Sequence, residues 1–541
     1  MRGRAGRSAG QPGSASTAAI PFIGGLDTPI LQLSDQPQDQ WTLRHAVEGV
    51  HIFGGTGSGK TSGSGRSLAL SYLRMGMGGI VLTAKPGEWE LWQDYARETG
   101  RTAHLIRFDA SGHYRFNFLD YQAHVSTDES GRLITSNIVD LISHVAQAAQ
   151  RGNGMQGQGA EQPFWRLAPR ELISHSIDAL WNATGHLSLS DIVEFILSAP
   201  KTPEEFASDE AVEKSFCLRT LRTLLTAPRY PMNRHDLDVV MQFFYRNFAV
   251  LDQRTRSNIV VTMTSQLAPL LKGTMRELFA TRTNLVPELT LEGAIIVLDL
   301  PVKTYQEAGL LAQHIFKYQW QVATERRAVR SEVRPVFCWA DEAQFFITPY
   351  DIQFQTTARS SRACTVYLTQ TVSNYFAMIG GQNSRDATMA FLANFVTKIF
   401  HNNADRNTNE MAAEMIGRNI QVRRSDARGL STSEGSNRGT TRGSSRSYGT
   451  SSSGGGSSAS DQVGINDGSS YGLSFTSGLS LNETTSEQMD LDIQPGEFAT
   501  IRTGGPENGF RSDAVIFQSG RRFAGNRGKN YLTVSFPQRT G

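Results

Sequence analysis

The sequence predicts an α/β protein whose mainly parallel sheet is interrupted by an inserted all-α domain. Three observations carry this expectation. Short β-branched runs, Val50–Phe53, Gly79–Thr83 and Ala103–Phe108, alternate with helical patterns such as Ser67–Met75, as βαβ units do. Runs of the same kind resume at Ala294–Leu298, Val336–Ala340, Cys364–Thr369 and Thr397–His401. Between the two sets, residues 126–290 read as helices with few strand signals.

Residues 1–40 read as a flexible N-terminal arm, rich in Arg, Gly and Ser over Met1–Thr17 and without the apolar core of a secretory signal. Residues 41–125 are the first part of the α/β domain. Within 126–290, the apolar positions Ile138, Val139, Ile142, Val145 and Ala146 of Ser136–Gln150 fall on one helical face. Thr202-Pro203-Glu204-Glu205 is a helix start with proline in the first position, and Asn258–Leu271 reads as a buried helix. Residues 291–423 return to the sheet. The Ser/Gly-rich stretch 424–480, punctuated by Arg438, Arg442 and Arg446, lacks the apolar content to order itself and is expected to be disordered. In 481–541 the strand-like runs Phe498–Arg502, Ala514–Phe517 and Tyr531–Phe536 complete the α/β domain.

Bulk properties narrow the function classes. A chain of 541 residues with 39% hydrophobic content supports two or more domains with real cores. Its net charge of +2 makes no global field toward nucleic acid or membrane, so any such affinity comes from local patches. Three scattered cysteines, Cys217, Cys338 and Cys364, have no C-x-x-C spacing and make neither a disulfide framework nor a zinc site. No apolar run reaches the length of a membrane span, so the chain is expected to be soluble, without a span of its own.

The chemistry begins directly after Val50–Phe53. Gly54-Gly55-Thr56-Gly57-Ser58-Gly59-Lys60-Thr61 spells G-x-x-x-x-G-K-T, a strand running into a phosphate cradle. Glycines let backbone N–H groups from Gly55 to Thr61 curl around phosphate oxygens, and Lys60 can neutralise the β- and γ-phosphates. The Thr61 hydroxyl can bind Mg²⁺, and the helix that follows points its positive end at the anion. The motif implies a nucleoside triphosphate.

Hydrolysis needs an acid near the metal and a base for water, both at the end of a neighbouring strand. Val336–Ala340 ends in Asp341-Glu342, which makes Asp341 the expected metal-side acid and Glu342 the expected water activator. Ile295–Leu298 ends in Asp299 with no second acid, and a strand-end cap is the better reading there. Cys364–Thr369 ends in Gln370, whose carboxamide could sense the γ-phosphate or the lytic water. Arg359 and Arg362 precede that strand, and from sequence alone a solvated basic turn accounts for them.

Taken together, these motifs resemble the type IV secretion and conjugation coupling proteins (TraG/TraD-like) of the FtsK–HerA superfamily, which are RecA-like P-loop ATPases. The resemblance covers roughly residues 41–420, with a weaker match beyond. It rests on the glycine motif, on Lys85-Pro86-Gly87-Glu88, on Phe108-Asp109 and on Asn117-Phe118-Leu119-Asp120. It continues through Phe164-Trp165, Asp341-Glu342, Ala358-Arg359-Ser360-Ser361, Leu368-Thr369-Gln370, Lys398-Ile399-Phe400 and Asn402-Asn403. It implies ATP with Mg²⁺, Lys60 and Thr61 on phosphate and metal, Asp341 and Glu342 in catalysis, Gln370 as sensor and Arg359 as a trans-acting finger. Departures are the missing membrane helices, Ala84 where an acid is usual, Phe118 where proline is usual, and the Ser/Gly-rich insertion.

The resemblance further implies a homo-hexameric ring pumping DNA or a relaxase–DNA complex, in the cytoplasm or peripheral at the inner membrane beside secretion components. Backbone contacts could come from Arg423-Arg424, from Arg438, Arg442 and Arg446, or from Arg521-Arg522 with Arg527 and Lys529. Two other readings stay open: a soluble DNA motor of a mobile element or defence system, and a nucleotide-gated scaffold that recruits proteins.

Overall fold

The computed structural model describes residues 22, 24–152, 163–329, 333–438, 446–453, 456–463 and 471–539. The chain divides into two units, Met1–Glu410 with Pro495–Gly541, and Met411–Gln494.

The first unit is built on a nine-stranded sheet. In chain order its strands are β1 (Val50–Phe53), β2 (Gly78–Leu82), β3 (Leu105–Asp109), β4 (Ile295–Asp299), β5 (Val336–Ala340), β6 (Ala363–Thr369), β7 (Thr397–Phe400), β8 (Arg511–Gln518) and β9 (Tyr531–Pro537). Their order across the sheet is β9-β8-β7-β1-β6-β5-β2-β4-β3. From β7 to β3 neighbours run parallel, while β8 is antiparallel to both β7 and β9. The α/β class with a largely parallel sheet is therefore what the chain adopts.

Strands β1, β2, β5, β6 and β7 are buried along their whole length. That is why their sequences read as unbroken apolar runs rather than alternating ones. Crowding at the centre leaves no room at Gly79, where a Cβ would lie 2.5 Å from the Phe337 ring. The helix Val302–Arg326 packs beneath the sheet, and its buried Gln313 serves the carboxyl end of β2. Gln313 Oε1 accepts from Thr83 N at 2.7 Å, while Nε2 donates to Thr83 O at 2.9 Å and to Leu300 O at 2.8 Å.

Between β3 and β4 the described residues carry helices. Thr135–Gly152 contains the expected face, with Ile138, Val139, Ile142 and Val145 at most 3% exposed; the side chain of Ala146 lies outside what is described. Phe195, Phe244 and Phe248 form an aromatic core there. Thr202–Glu205 opens only a short 3-10 turn, Pro203–Ala207, and a separate helix starts at Asp209, capped by Ser208. The helix Gln253–Leu267 is not wholly buried: Ile259 is covered, but Val261 is 59% exposed.

Two other expectations meet a different structure. The stretch 1–40, read as an arm, is folded where it is described from residue 24 on. Pro29–Gln32 pairs antiparallel with Gln40–Thr42. The buried Asp39 carboxylate accepts from Ala524 N at 2.9 Å and from Gly525 N at 2.7 Å. Phe498–Arg502 is not a strand: Phe498–Thr500 end the 3-10 turn Pro495–Thr500, with Phe498 buried against the Phe400 ring. Pro495-Gly496 turns the chain there, and β8 pairs with β7 instead, with β9 at the sheet edge.

In the second unit the Ser/Gly-rich stretch expected to be disordered is, where it is described, paired backbone. Arg418–Arg438 runs antiparallel to Tyr471–Leu491, and Arg446–Ser453 to Gly456–Val463. Apolar content sets how much surface can be buried; an antiparallel ladder instead satisfies N–H and C=O groups strand to strand whatever the side chains are. Arg442 lies outside the described residues.

Candidate nucleotide site

The parallel register places the candidate residues before any side chain is considered. Phe53 of β1 pairs with Thr369 of β6 on one side and with Phe400 of β7 on the other. Gly54, Gln370 and His401 therefore leave the sheet at one edge. Strand β5 lies just beyond β6, with Ala340 paired to Tyr367, so Asp341 and Glu342 emerge at the same edge. Carboxyl ends of parallel strands are where such folds hold ligands.

Gly54 N donates to Thr369 O at 3.2 Å and Gly55 N to Asn402 O at 2.9 Å, which ties the loop to both neighbouring strands. Gly57 and Gly59 have φ of 76° and 92°, the left-handed region that favours glycine. A helical run starts at Lys60 with a wide π-type turn and continues as Arg66–Arg74. Its first N–H groups and its dipole face the loop. Ser58 Oγ is buried with no protein partner.

The long-range meeting is close. Lys60 Nζ, nearly buried, lies 3.8 Å from Asp341 Oδ1 and 3.9 Å from Glu342 Oε1. The Thr61 hydroxyl donates to Asp341 Oδ2 at 2.9 Å. Glu342 is held in a left-handed backbone conformation, φ 52°, a strain that persists only when its surroundings enforce it. Glu342 N donates to Asp341 Oδ1 at 3.0 Å. The two oxygens of its carboxylate accept from Gln344 Nε2 and Gln370 Nε2, each at 3.0 Å. Gln344 is oriented in turn by the Thr369 hydroxyl at 2.7 Å.

Several supporting groups had no role legible in the sequence. Lys85 Nζ stands 3.5 Å from Asp341 Oδ2. Burial opposes its charge, but the carboxylates of Asp341, Glu88 and Glu342 outweigh this and raise its pKa. Glu88 is pushed up to about 8, first by burial and then by the Asp341 charge. Its Oε1 accepts from the backbone N–H of Ala84 and Lys85 at 3.3 Å each. His401 Nε2 lies 2.7 Å from Ser64 Oγ on the helix after the loop, and burial lowers this imidazole to about 4, so it is neutral. Lys85 and Glu88 carried a sequence signal, as part of the quoted Lys85–Glu88 segment. His401 carried none until the sheet order placed β7 beside β1.

Other sequence candidates lie elsewhere. Arg359 precedes β6 at the end opposite Gln370; seven residues of strand separate the ends by about 20 Å. Arg359 is largely exposed, with Nη1 3.5 Å from Glu48 Oε1. Asp299 is tied to Arg107 Nη2 at 2.6 Å. Asn117 caps the helix Phe118–Val125, and Asp120 accepts from Leu187 N at 3.1 Å and pairs with His186 at 2.9 Å. Arg521 donates to Gln40 O at 2.8 Å and lies over the Phe523 ring, an anchor between chain ends rather than a free patch.

The donor set suits Mg²⁺. A hydroxyl and one carboxylate beside a phosphate cradle match a cation that keeps waters and takes few protein ligands. Among the described residues no cluster of three or more His, Cys, Asp or Glu could hold a metal by itself. No described helix is long and apolar enough to cross a membrane.

Residues 335–455 match the sequence family of the TraM recognition site of TraD and TraG. No curated protein matches the chain. Among solved structures, the bacterial conjugative coupling protein TrwBdeltaN70 in its unbound monoclinic form aligns over 99% of both chains, with TM-score 0.51 and 11% identity. The plasmid coupling protein TrwB with the ATP analogue ADPNP aligns over 97% of this chain and 98% of its own, with TM-score 0.51 and 12% identity. The same protein with ADP and Mg²⁺ aligns over 98% of each, with TM-score 0.51 and 11% identity. At such identity the likeness is one of fold, a RecA-like P-loop fold with an inserted helical domain. The chain is thus similar in fold to the TrwB structures, and in the sequence of residues 335–455 to the TraM recognition site of TraD and TraG.

Proposed function

We propose that this chain is an ATP-hydrolysing, DNA-translocating motor of the conjugative coupling kind, recruiting DNA or a relaxase–DNA complex. The observation that carries the reading is the meeting of Lys60 and Thr61 with Asp341, Glu342 and Gln370 from strands nearly 300 residues downstream along the sequence. Gly55 to Thr61 would hold the phosphates, and Thr61 with Asp341 would hold Mg²⁺. The metal, when bound, neutralises phosphate charge and orients the γ-phosphate. In this arrangement Lys60 turns its ammonium from the carboxylates to the phosphates. Glu342, fixed by two carboxamides, orients water and takes its proton, and Gln370 links that carboxylate to the phosphate side. The TrwB complexes with ADPNP and with ADP and Mg²⁺ support these ligands.

Arg359 cannot serve its own subunit's site from the far end of β6. In a homo-hexameric ring it faces outward to act on a neighbour's phosphates. The motor would comprise residues 41–125, 291–423 and 481–541, with 126–290 as its inserted all-α domain. The match of residues 335–455 supports a protein partner of the TraM kind besides DNA. The motor works in the cytoplasm or at the inner membrane surface.

Phosphate release by wild type and Lys60→Ala, with and without single- or double-stranded DNA, tests the proposal, and the same samples are imaged for rings. DNA-stimulated turnover lost in the variant supports it. Turnover indifferent to both DNA and the substitution refutes it. Binding without turnover leaves the nucleotide-gated scaffold.

A further inference from the structure

The sheet order divides the mouth of the site into two sides. Asp341, Glu342 and Gln370 lie toward β6 and β5. On the other side of β1 come β7, β8 and β9. A triphosphate whose terminal phosphate faces Glu342 must run back across the loop, so that its nucleoside leaves on the β8–β9 side, past the start of the helix.

That side is built from the last residues of the chain. Gln538 follows β9, and its Nε2 donates to Ser62 Oγ, directly after the G-K-T, at 2.6 Å. Its Oε1 accepts from Gly505 N at 2.8 Å, and its own N–H donates to Phe510 O at 2.7 Å. The carboxamide fills the space over Gly504, where a Cβ would collide with it, and Gly505 adopts φ 101° to turn around it. Ser512, the second residue of β8, is fully buried, and its Oγ has no protein partner. That hydroxyl abuts Gly59 and Gly63, where a Cβ would overlap it. The loop's glycines thus serve closeness to the C-terminal strands as well as to phosphate.

A glutamine carboxamide offers two N–H donors and an oxygen with two lone pairs. The bonds to Ser62 and Gly505 use one of each. One donor and one acceptor remain, the pair of groups that a base edge presenting an acceptor and a donor requires.

Building on the nucleotide reading above, we propose that Gln538, seated on Gly504-Gly505 and Ser62, is the base-contacting residue of the site and binds the nucleobase of a nucleoside triphosphate. The C-terminal strands would then report base occupancy to the phosphate loop through Ser512 and Ser62.

Equilibrium binding of ATP and of inorganic tripolyphosphate, each with Mg²⁺, tests this on the full chain. Gln538→Ala is expected to weaken ATP about tenfold, the loss of one to two hydrogen bonds, and to leave tripolyphosphate within about twofold. Gln538→Met, which keeps the length of the stem, is expected to behave alike; unchanged thermal melting shows that both variants fold. Unchanged ATP affinity in both variants, or equal weakening of ATP and tripolyphosphate, overturns the assignment. Lys60→Ala is the separate control. It should weaken both ligands, and if it weakens neither, the phosphate site itself is refuted, whatever Gln538 does.

Discussion

Replacing Gln370 by alanine removes one of the two carboxamides that hold the Glu342 carboxylate. Gln370 Nε2 donates to Glu342 Oε1 at 3.0 Å, and Gln344 alone remains on the other oxygen. A hydrogen bond to a charged group contributes about 1.5–3 kcal/mol, so loss of this one should slow the hydrolytic step by about 10- to 150-fold. Nucleotide affinity should stay within about threefold, because the phosphate loop takes its own bonds from Thr369 O and Asn402 O, not from the Gln370 side chain. The assay is single-turnover phosphate release beside equilibrium nucleotide binding. A variant that hydrolyses at the wild-type rate, or one that loses binding and rate together, refutes the view that Gln370 positions Glu342.

Three further outcomes are expected. Lys317→Met should cost about 3–5 kcal/mol by thermal or denaturant unfolding, since it strands the buried Asp351, whose Oδ2 lies 2.5 Å from Lys317 Nζ; a loss below about 1 kcal/mol contradicts this. Gly79→Ala should destabilise by about 1–3 kcal/mol, because its Cβ meets the Phe337 ring; an unchanged melting temperature argues against such tight packing of β2 on β5. His401 is held neutral at about 4 by burial but would titrate near 6.5 when unfolded. Its contribution to stability is therefore complete above pH 6.5 and is lost as pH falls toward 4, up to about 3 kcal/mol. Melting temperatures from pH 7.5 to 5 should fall, and less steeply for His401→Asn; equal slopes would contradict the assignment.

The phosphate loop, Asp341-Glu342 and Gln370 were legible in the sequence because each ends a short apolar run, and a parallel sheet gathers strand ends at one edge. Residues 126–290 were legible as helical because their apolar positions repeat at helical spacing. What was not legible depends on strand order. Nothing in Thr397–His401 says that it pairs with Val50–Phe53, so His401 under the loop helix went unseen. Ser512 and Gln538 likewise have no local signature; β8 and β9 bring them to the loop from more than 400 residues away. Arg359 is a case of the opposite kind, a residue named by resemblance whose place at the far end of β6 removes it from its own subunit's site. In the Ser/Gly-rich stretch, side-chain composition was a poor guide because the pairing there is of backbone.

The most direct test of the central claim is MgATP binding and phosphate release by Glu342→Gln. The substitution keeps the shape of the side chain and removes its basicity. Nucleotide binding close to wild type with hydrolysis slowed at least about 100-fold is the predicted result. Hydrolysis at the wild-type rate would contradict the account, because the acidic pair beside Lys60 would then not carry out the chemistry.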